Sequence, residues 1–251
     1  MRNAEWTDVE RERYARQTVL PGFGLDGQDR LREARVLVVG AGGLGSPCLT
    51  ALAAAGVGTL GIADDDRVAL SNLARQTIHD SDAVGRSKVE SAAGSLARIN
   101  PHVRVEPHAI RLTPTNAAEI VAAYDVIADG TDSFASRFAL AEACEAVRRP
   151  LVSASVSRFQ GTLTTLRPYE NDNPTLRCLH PDPPSSWERD CSEDGVLGAV
   201  TQTLGAMQAM EVLKSLIGPS LGEPLIGRLL LLDALSWRTR IVRYGRRVAQ
   251  T

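Results

Sequence analysis

Cysteine is scarce in this chain, and the scarcity excludes one class of fold. Cys48, Cys144, Cys178 and Cys191 are spread over 251 residues, too far apart and in too long a chain for a disulfide framework. They read as free thiols, each to be explained as core, ligand or nucleophile. Long apolar runs are also missing: no stretch reaches the ~20 residues of a membrane span. Met1 to Glu12 is charged and polar with no apolar leader core. The expected location is therefore cytoplasmic, with no membrane partner. Net charge is nearly absent at −2. That leaves no field to gather nucleic acid, despite the local pairs Arg148-Arg149 and Arg246-Arg247, so nucleic acid is an unlikely partner. No internal repeat is present.

The chain does have apolar material, 43% of its residues, enough for the core of one large α/β domain spanning 1–251. The central stretch is Val36 to Val39, which reads as a buried strand. It breaks into Gly40-Ala41-Gly42-Gly43-Leu44-Gly45 and then into a helix. Gly40, Gly42 and Gly45 have the G-x-G-x-x-G spacing that turns backbone N–H groups at a helix N-terminus toward an anion. The motif serves nicotinamide, flavin and ATP enzymes alike, so its surroundings must decide.

Ahead of it, a helical segment over 1–34 carries Arg13-Tyr14-Ala15-Arg16-Gln17, then a turn and a helix from Asp26 to Arg35. After it, Thr59 to Ala63 reads as a second strand ending on Asp64-Asp65-Asp66. A helix from Arg86 to Ile99 stops at Asn100-Pro101, because the residue before proline is pushed out of the α region. Strands at Val103–Glu106, Tyr124–Asp129, Leu151–Ser155 and Gln160–Arg167 alternate with helices at Thr115–Ala123 and Phe134–Arg148. This order implies a mostly parallel, Rossmann-like sheet with helices on both faces and ligands beyond the strands' carboxyl ends. Residues 168–195 form a crossover loop without a period. A helix from Val196 to Ile217 and strands at Leu225–Asp233 and Arg238–Tyr244 close the chain.

Five motifs in joint order carry a resemblance: the glycine stretch, Asp64-Asp65-Asp66, Ser71-Asn72-Leu73-Ala74-Arg75-Gln76, Gly85-Arg86-Ser87-Lys88 and Thr131-Asp132-Ser133. Over nearly its whole length the chain resembles the ThiF/MoeB/HesA family, bacterial relatives of the ubiquitin-activating enzymes. The resemblance implies a homodimeric adenylyltransferase that uses ATP and Mg²⁺ to activate the C-terminal Gly-Gly carboxylate of a ubiquitin-like sulfur carrier protein. A carboxylate attacking a phosphate brings anion onto anion, so such a site must gather positive charge and hold the line of attack.

By resemblance, Gly43 and the glycines around it admit the nucleotide, and Asp64 takes the ribose hydroxyls. Asp66, Ser71, Asn72, Leu73, Arg75, Gln76, Lys88 and Ser133 complete the nucleotide site. Asp132 stands where the family holds Mg²⁺, a metal commonly bound by one or two carboxylates plus phosphate oxygens. Arg16 would reach the neighbouring subunit's ATP, like an arginine finger in trans. Cys191 occupies the position of the cysteine that attacks the adenylate in thiocarboxylate-forming members, with a helix and Arg189 nearby to favour a thiolate.

The chain departs from the family at zinc. Where many relatives have two C-x-x-C pairs, it has Thr175 before Cys178 and no cysteine after Cys191, so no zinc site is expected. No rhodanese domain follows Tyr244, so a separate sulfur donor is expected. Read by position alone, Lys88 is a solvated helix residue, Asp132 a helix cap, and Cys48 and Cys144 core. Competing functions are adenylation of a peptide C-terminus or of a carboxylate on modified tRNA, a nicotinamide-dependent oxidoreductase, and a nucleotide-binding scaffold.

Overall fold

Strand β1 (Arg35–Val39) runs through the middle of the protein, with Val36, Leu37 and Val38 wholly removed from solvent. A computed structural model describes residues 5–181 and 195–246. β1 pairs in parallel with β2 (Thr59–Ala63) on one side and β4 (Val126–Asp129) on the other. Outside β2 lies β3 (Arg104–His108), and outside β4 lies β5 (Leu151–Ser157), both also parallel. The sheet continues antiparallel through β6 (Gln160–Leu166), β7 (Arg228–Asp233) and β8 (Arg238–Arg243), giving the order β3-β2-β1-β4-β5-β6-β7-β8. The strand order reverses between β1 and β4. At such a switch point the loops leave in opposite directions and open a crevice beyond the strand ends.

Successive β1 side chains go to opposite faces, as a period of two requires. Val36 and Val38 join a core with Leu60 and Ile62 of β2, Leu49 and Leu52 of α3 (Gly45–Ala55), Leu96 of α4 (Lys88–Ile99) and Leu204 and Val212 of α8 (Gly198–Ile217). Leu37 and Val39 pack on the other side against Val121 of α5 (Ala117–Ala122) and Phe138 and Leu140 of α6 (Phe134–Ala146). Helices thus cover both faces of the parallel half. Cys48 and Cys144 fill core positions with 0% and 2% exposure. Burial pushes the Cys48 thiol up to about 12, so it is inert.

The amino-terminal helices α1 (Asp8–Thr18) and α2 (Gly24–Glu33) are tied to the far end of α3, away from its glycine-rich start. Tyr14 lies against Gly56, and the Asn100 amide donates to Tyr14 Oη at 2.8 Å and to the Ala53 carbonyl at 2.7 Å. Gln28 Nε2 donates to the Ala55 carbonyl at 2.9 Å.

The predicted elements recur with shifted ends. The helix expected over Asp26–Arg35 ends at Glu33, because Arg35 opens β1. The strand expected over Val103–Glu106 continues through Pro107 to His108, which proline permits because β3 is an edge strand with one side unpaired. The crossover loop was predicted to be aperiodic throughout, yet it holds a short helix, α7 (Leu176–Leu179). Leu52 is fully buried between the sheet and helices. Leu52→Ala should therefore lower stability by about 2–5 kcal/mol, read from the midpoint of urea unfolding.

Candidate active site

The crevice between the ends of β1 and β4 begins with a backbone contact only glycine allows. Gly40 turns the chain at φ +94°, and a Cβ there would lie 2.7 Å from the Gly130 carbonyl oxygen. A Cβ on Gly45 would overlap the Gly40 carbonyl oxygen itself, so α3 can start directly under the strand end only with glycine at both positions. The α3 N-cap, Leu44, supplies no side-chain acceptor to the helix start, which leaves backbone N–H groups available to an anion.

The Ala41 peptide between these glycines is held from both sides. Its N–H donates to Asp64 Oδ2 at 2.8 Å, and its carbonyl lies 3.0 Å from His79 Nε2. A carbonyl can only accept, so Nε2 carries the proton and Nδ1 accepts from Ser91 Oγ at 2.9 Å. Burial, followed by the weaker influence of Lys88, holds the His79 pKa below its ordinary value, which favours this neutral form.

Lys88 is not the solvated residue its position alone suggested. It is the first residue of α4 and 5% exposed, a costly place for a cation because burial removes its water and the helix dipole is positive there. Two carboxylates at the β2 tip offset the cost: Nζ donates to Asp66 Oδ2 at 2.7 Å and lies 4.0 Å from Asp64 Oδ2. A local conflict of this kind marks a functional site more often than a structural one.

Across the crevice, Asp129 ends β4 with no exposure. Its carboxylate accepts from Thr131 N at 3.0 Å, Thr131 Oγ1 at 2.6 Å and Ser153 Oγ at 2.8 Å. Arg137 Nε of α6 lies 3.1 Å from Asp129 Oδ2, and its Nη2 donates to the Thr131 carbonyl at 2.9 Å and the Ala154 carbonyl at 3.3 Å. The helix cap is Ser133, whose hydroxyl accepts from Ser136 N at 3.2 Å. The capping role that position alone allowed Asp132 thus belongs to its neighbour.

The cavity so formed measures about 530 Å³. Of the residues named from sequence, Gly40, Gly42, Gly43, Asp64, Asp66, Ser71, Arg75, Gln76, Lys88 and Asp132 line it. Gly45 stands behind them as packing. Asn72 also lies outside the lining, where its Oδ1 accepts from Ala69 N at 3.1 Å and shapes the turn that carries Ser71 and Arg75. Leu73 and Ser133 are likewise beside the cavity rather than on its wall. Arg16 sits on α1 at the distant end of α3 and does not line this chain's cavity. Cys191 lies outside the described residues. Thr175, in the first position of the would-be metal pair, has its Oγ1 3.5 Å from Cys178 Sγ.

Several wall residues escaped the sequence reading, Arg111 and Arg137 among them. Arg111, with Ile110 and Leu112, comes from the loop after β3, and Arg111 Nε lies 3.3 Å from Asp65 Oδ2. No local signal marks that loop. Arg137 is an arginine on the inward face of an Ala- and Phe-rich helix, a pattern that could have identified it.

Gln76 is 4% exposed and its Oε1 has no hydrogen-bond partner among the described residues. An orphaned acceptor on the cavity wall suits a ligand that carries N–H or O–H groups. Glycine turn, acidic strand tip and a crevice at the switch point together define a protein of the doubly wound α/β class.

The chain belongs to the ThiF family, whose model matches residues 14–250. It is 49% identical over 239 residues to the bovine adenylyltransferase and sulfurtransferase MOCS3, covering 95% of this chain and 52% of that protein. It is 46% identical over 239 residues to the probable adenylyltransferase/sulfurtransferase MoeZ of Mycobacterium tuberculosis, covering 92% and 60%. The chain thus spans about half the length of the curated relatives it matches. Among solved structures, Escherichia coli MccB with ATP superposes with TM-score 0.78 at 21% identity, covering 90% of this chain and 68% of that one. PaaA superposes with TM-score 0.80 at 22% identity, covering 98% and 78%.

Because the His79 pKa is lowered in the folded state, the unfolded chain takes up this proton first as pH falls. Its contribution to stability is present above about pH 6.5 and lost as pH drops toward the folded value. His79→Gln should therefore lose less stability than the parent between pH 7.5 and 5.5 in urea titrations.

Proposed function

We propose that this cleft binds ATP with Mg²⁺ and adenylates the C-terminal Gly-Gly carboxylate of a ubiquitin-like sulfur carrier protein. The observation that carries the reading is the charge balance of the wall. Asp64 and Asp66 hold Lys88, Asp65 pairs with Arg111, and Asp129 pairs with Arg137. Among the described residues Arg75 has no carboxylate partner, and the one hydrogen bond its guanidinium makes runs to the Ser71 carbonyl at 3.2 Å. An uncompensated cation beside glycine N–H groups suits a polyphosphate better than a nicotinamide ring.

In the reaction, the carrier's carboxylate oxygen attacks the α-phosphorus. A carboxyl–phosphorus bond forms, the bond to the β-phosphate bridging oxygen breaks, and pyrophosphate leaves. The attack needs two anions brought together, and Arg75, the wall cation with no carboxylate partner among the described residues, reduces their repulsion. Asp64 and His79 hold the Ala41 peptide and so keep the glycine N–H groups aimed before substrate arrives. Asp132, on the wall at the end of β4, would hold Mg²⁺ together with phosphate oxygens. The metal would neutralise charge on the departing pyrophosphate.

Three further parts of the reading follow from the resemblance and from the relatives' names. The adenylyltransferase half of those names is the chemistry this cavity suits, and the site of action is the cytoplasm. Arg16, remote from this chain's own cavity, would act in the cavity of a second subunit of a homodimer.

ATP–pyrophosphate exchange with a Gly-Gly-ending carrier tests the proposal: exchange is expected with the parent, and nicotinamide binding without exchange would overturn it. Arg75→Ala should slow exchange about 100-fold or more. Arg16→Ala and Asp132→Ala should each be inactive alone, yet a mixture of the two should regain exchange as hybrid dimers form. Full exchange by Arg16→Ala alone would remove Arg16 from the site.

A further inference from the structure

The pair Asp129–Arg137 touches none of the groups assigned to the reaction, yet together they engage every polar group of Thr131. The Thr131 N–H and hydroxyl donate to Asp129 Oδ1, and the Thr131 carbonyl accepts from Arg137 Nη2. The same two side chains are themselves anchored. Ser153 Oγ of β5 donates to Asp129 Oδ2, the Ala154 carbonyl accepts from Arg137, and Gln208 Nε2 of α8 donates to the Asp129 carbonyl at 2.8 Å and the Val152 carbonyl at 3.0 Å. Residue 131 is thereby tied to β4, β5, α6 and α8 at once. The next residue is Asp132, on the cavity wall.

A buried ion pair is poor evidence for stability, because the desolvation of both charges consumes most of the attraction. A hydrophobic pair would fill the same space. What a hydrophobic pair could not do is hold a donor, a hydroxyl and a carbonyl of one loop residue in fixed directions. We infer that Asp129 and Arg137 are positioning residues that orient the Gly130–Ser133 loop so that the Asp132 carboxylate meets the metal of a bound metal–ATP complex. This rests on the reading of the cleft as an Mg²⁺–ATP site. Outer residues that orient a ligand carboxylate affect metal affinity about 10–100-fold when altered.

Arg137→Lys keeps the charge but has one donor nitrogen in place of the planar fork whose Nε faces Asp129 while Nη2 serves the Thr131 and Ala154 carbonyls. Thr131→Val removes only the hydroxyl donor at nearly constant volume, and it keeps the test open should the lysine variant fail to fold. Titrating ATP calorimetrically with and without Mg²⁺ gives the gain in affinity due to the metal, separately from turnover. The parent should show a clear gain. Arg137→Lys should reduce that gain, the ratio of the two affinities, about 10-fold or more, and Thr131→Val should shift it in the same direction by less.

A parent that gains and variants that gain equally would overturn the positioning role and leave the Mg²⁺–ATP reading standing. Loss of ATP affinity with and without metal alike would also overturn it, since that marks a merely structural tie. A parent with no gain from Mg²⁺ would overturn the Mg²⁺–ATP reading, and the inference with it.

Discussion

The approach of Gly45 to the carbonyl of Gly40 is the contact on which the site depends. It brings the first turn of α3 directly beneath the end of β1, so that unpaired backbone donors face the crevice and not the sheet. Every neighbouring element then packs at a distance set by this approach. A Cβ on Gly43 would press on Thr201 of α8 at 3.1 Å, and one on Gly205 would overlap Pro47 of α3. The small residues therefore act in layers: strand against helix, then helix against helix. Enlarging Gly43 or Gly205 would push α8, and with it the Val196 end of the crossover segment, away from the cavity it lines.

Electrostatics is arranged over this frame with little waste. Among the described residues, three of the four basic side chains on the wall are matched to carboxylates, and each match ties two elements together. Lys88 joins α4 to the end of β2, Arg111 joins the loop after β3 to the same strand tip, and Arg137 joins α6 to β4. The cavity can thus be strongly polar without a net charge that would repel its own walls. Among the described residues of the wall only Arg75 is left without a carboxylate. A chain with a formal charge of −2 thus carries a cationic spot, since the relevant field is local and partly shielded from solvent.

Much of the candidate site was legible because a close strand-to-helix turn leaves marks in sequence. Glycine at 40, 42 and 45 is a steric requirement, and acids at the tip of a five-residue strand, Thr59–Ala63, follow from the strand's period and end. Arg75 and Lys88 were legible through motif order alone, for nothing in their own surroundings distinguishes a buried lysine from an exposed one. His79 and Arg111 left no signal: their roles arise from residues 38 and 46 positions away. Asp132 and Ser133 illustrate the limit at finer scale. Position alone pointed to Asp132 as the cap of α6, whereas the structure gives that role to Ser133.

By itself, the sequence determined which segments become strands and helices, where the chain must turn tightly, and that α3 starts directly at a glycine turn. These are consequences of local sterics and of apolar period, properties that short stretches carry with them. Tertiary structure alone decided which charges are spent on one another and which remain for a ligand, because that depends on distances between β2, α4, β4 and α6 that no local pattern encodes. It also decided that Arg16 lies far from the glycine turn of its own chain. Tyr14 and Gln28 dock α1 and α2 at the opposite end of α3 through contacts spanning most of the first hundred residues.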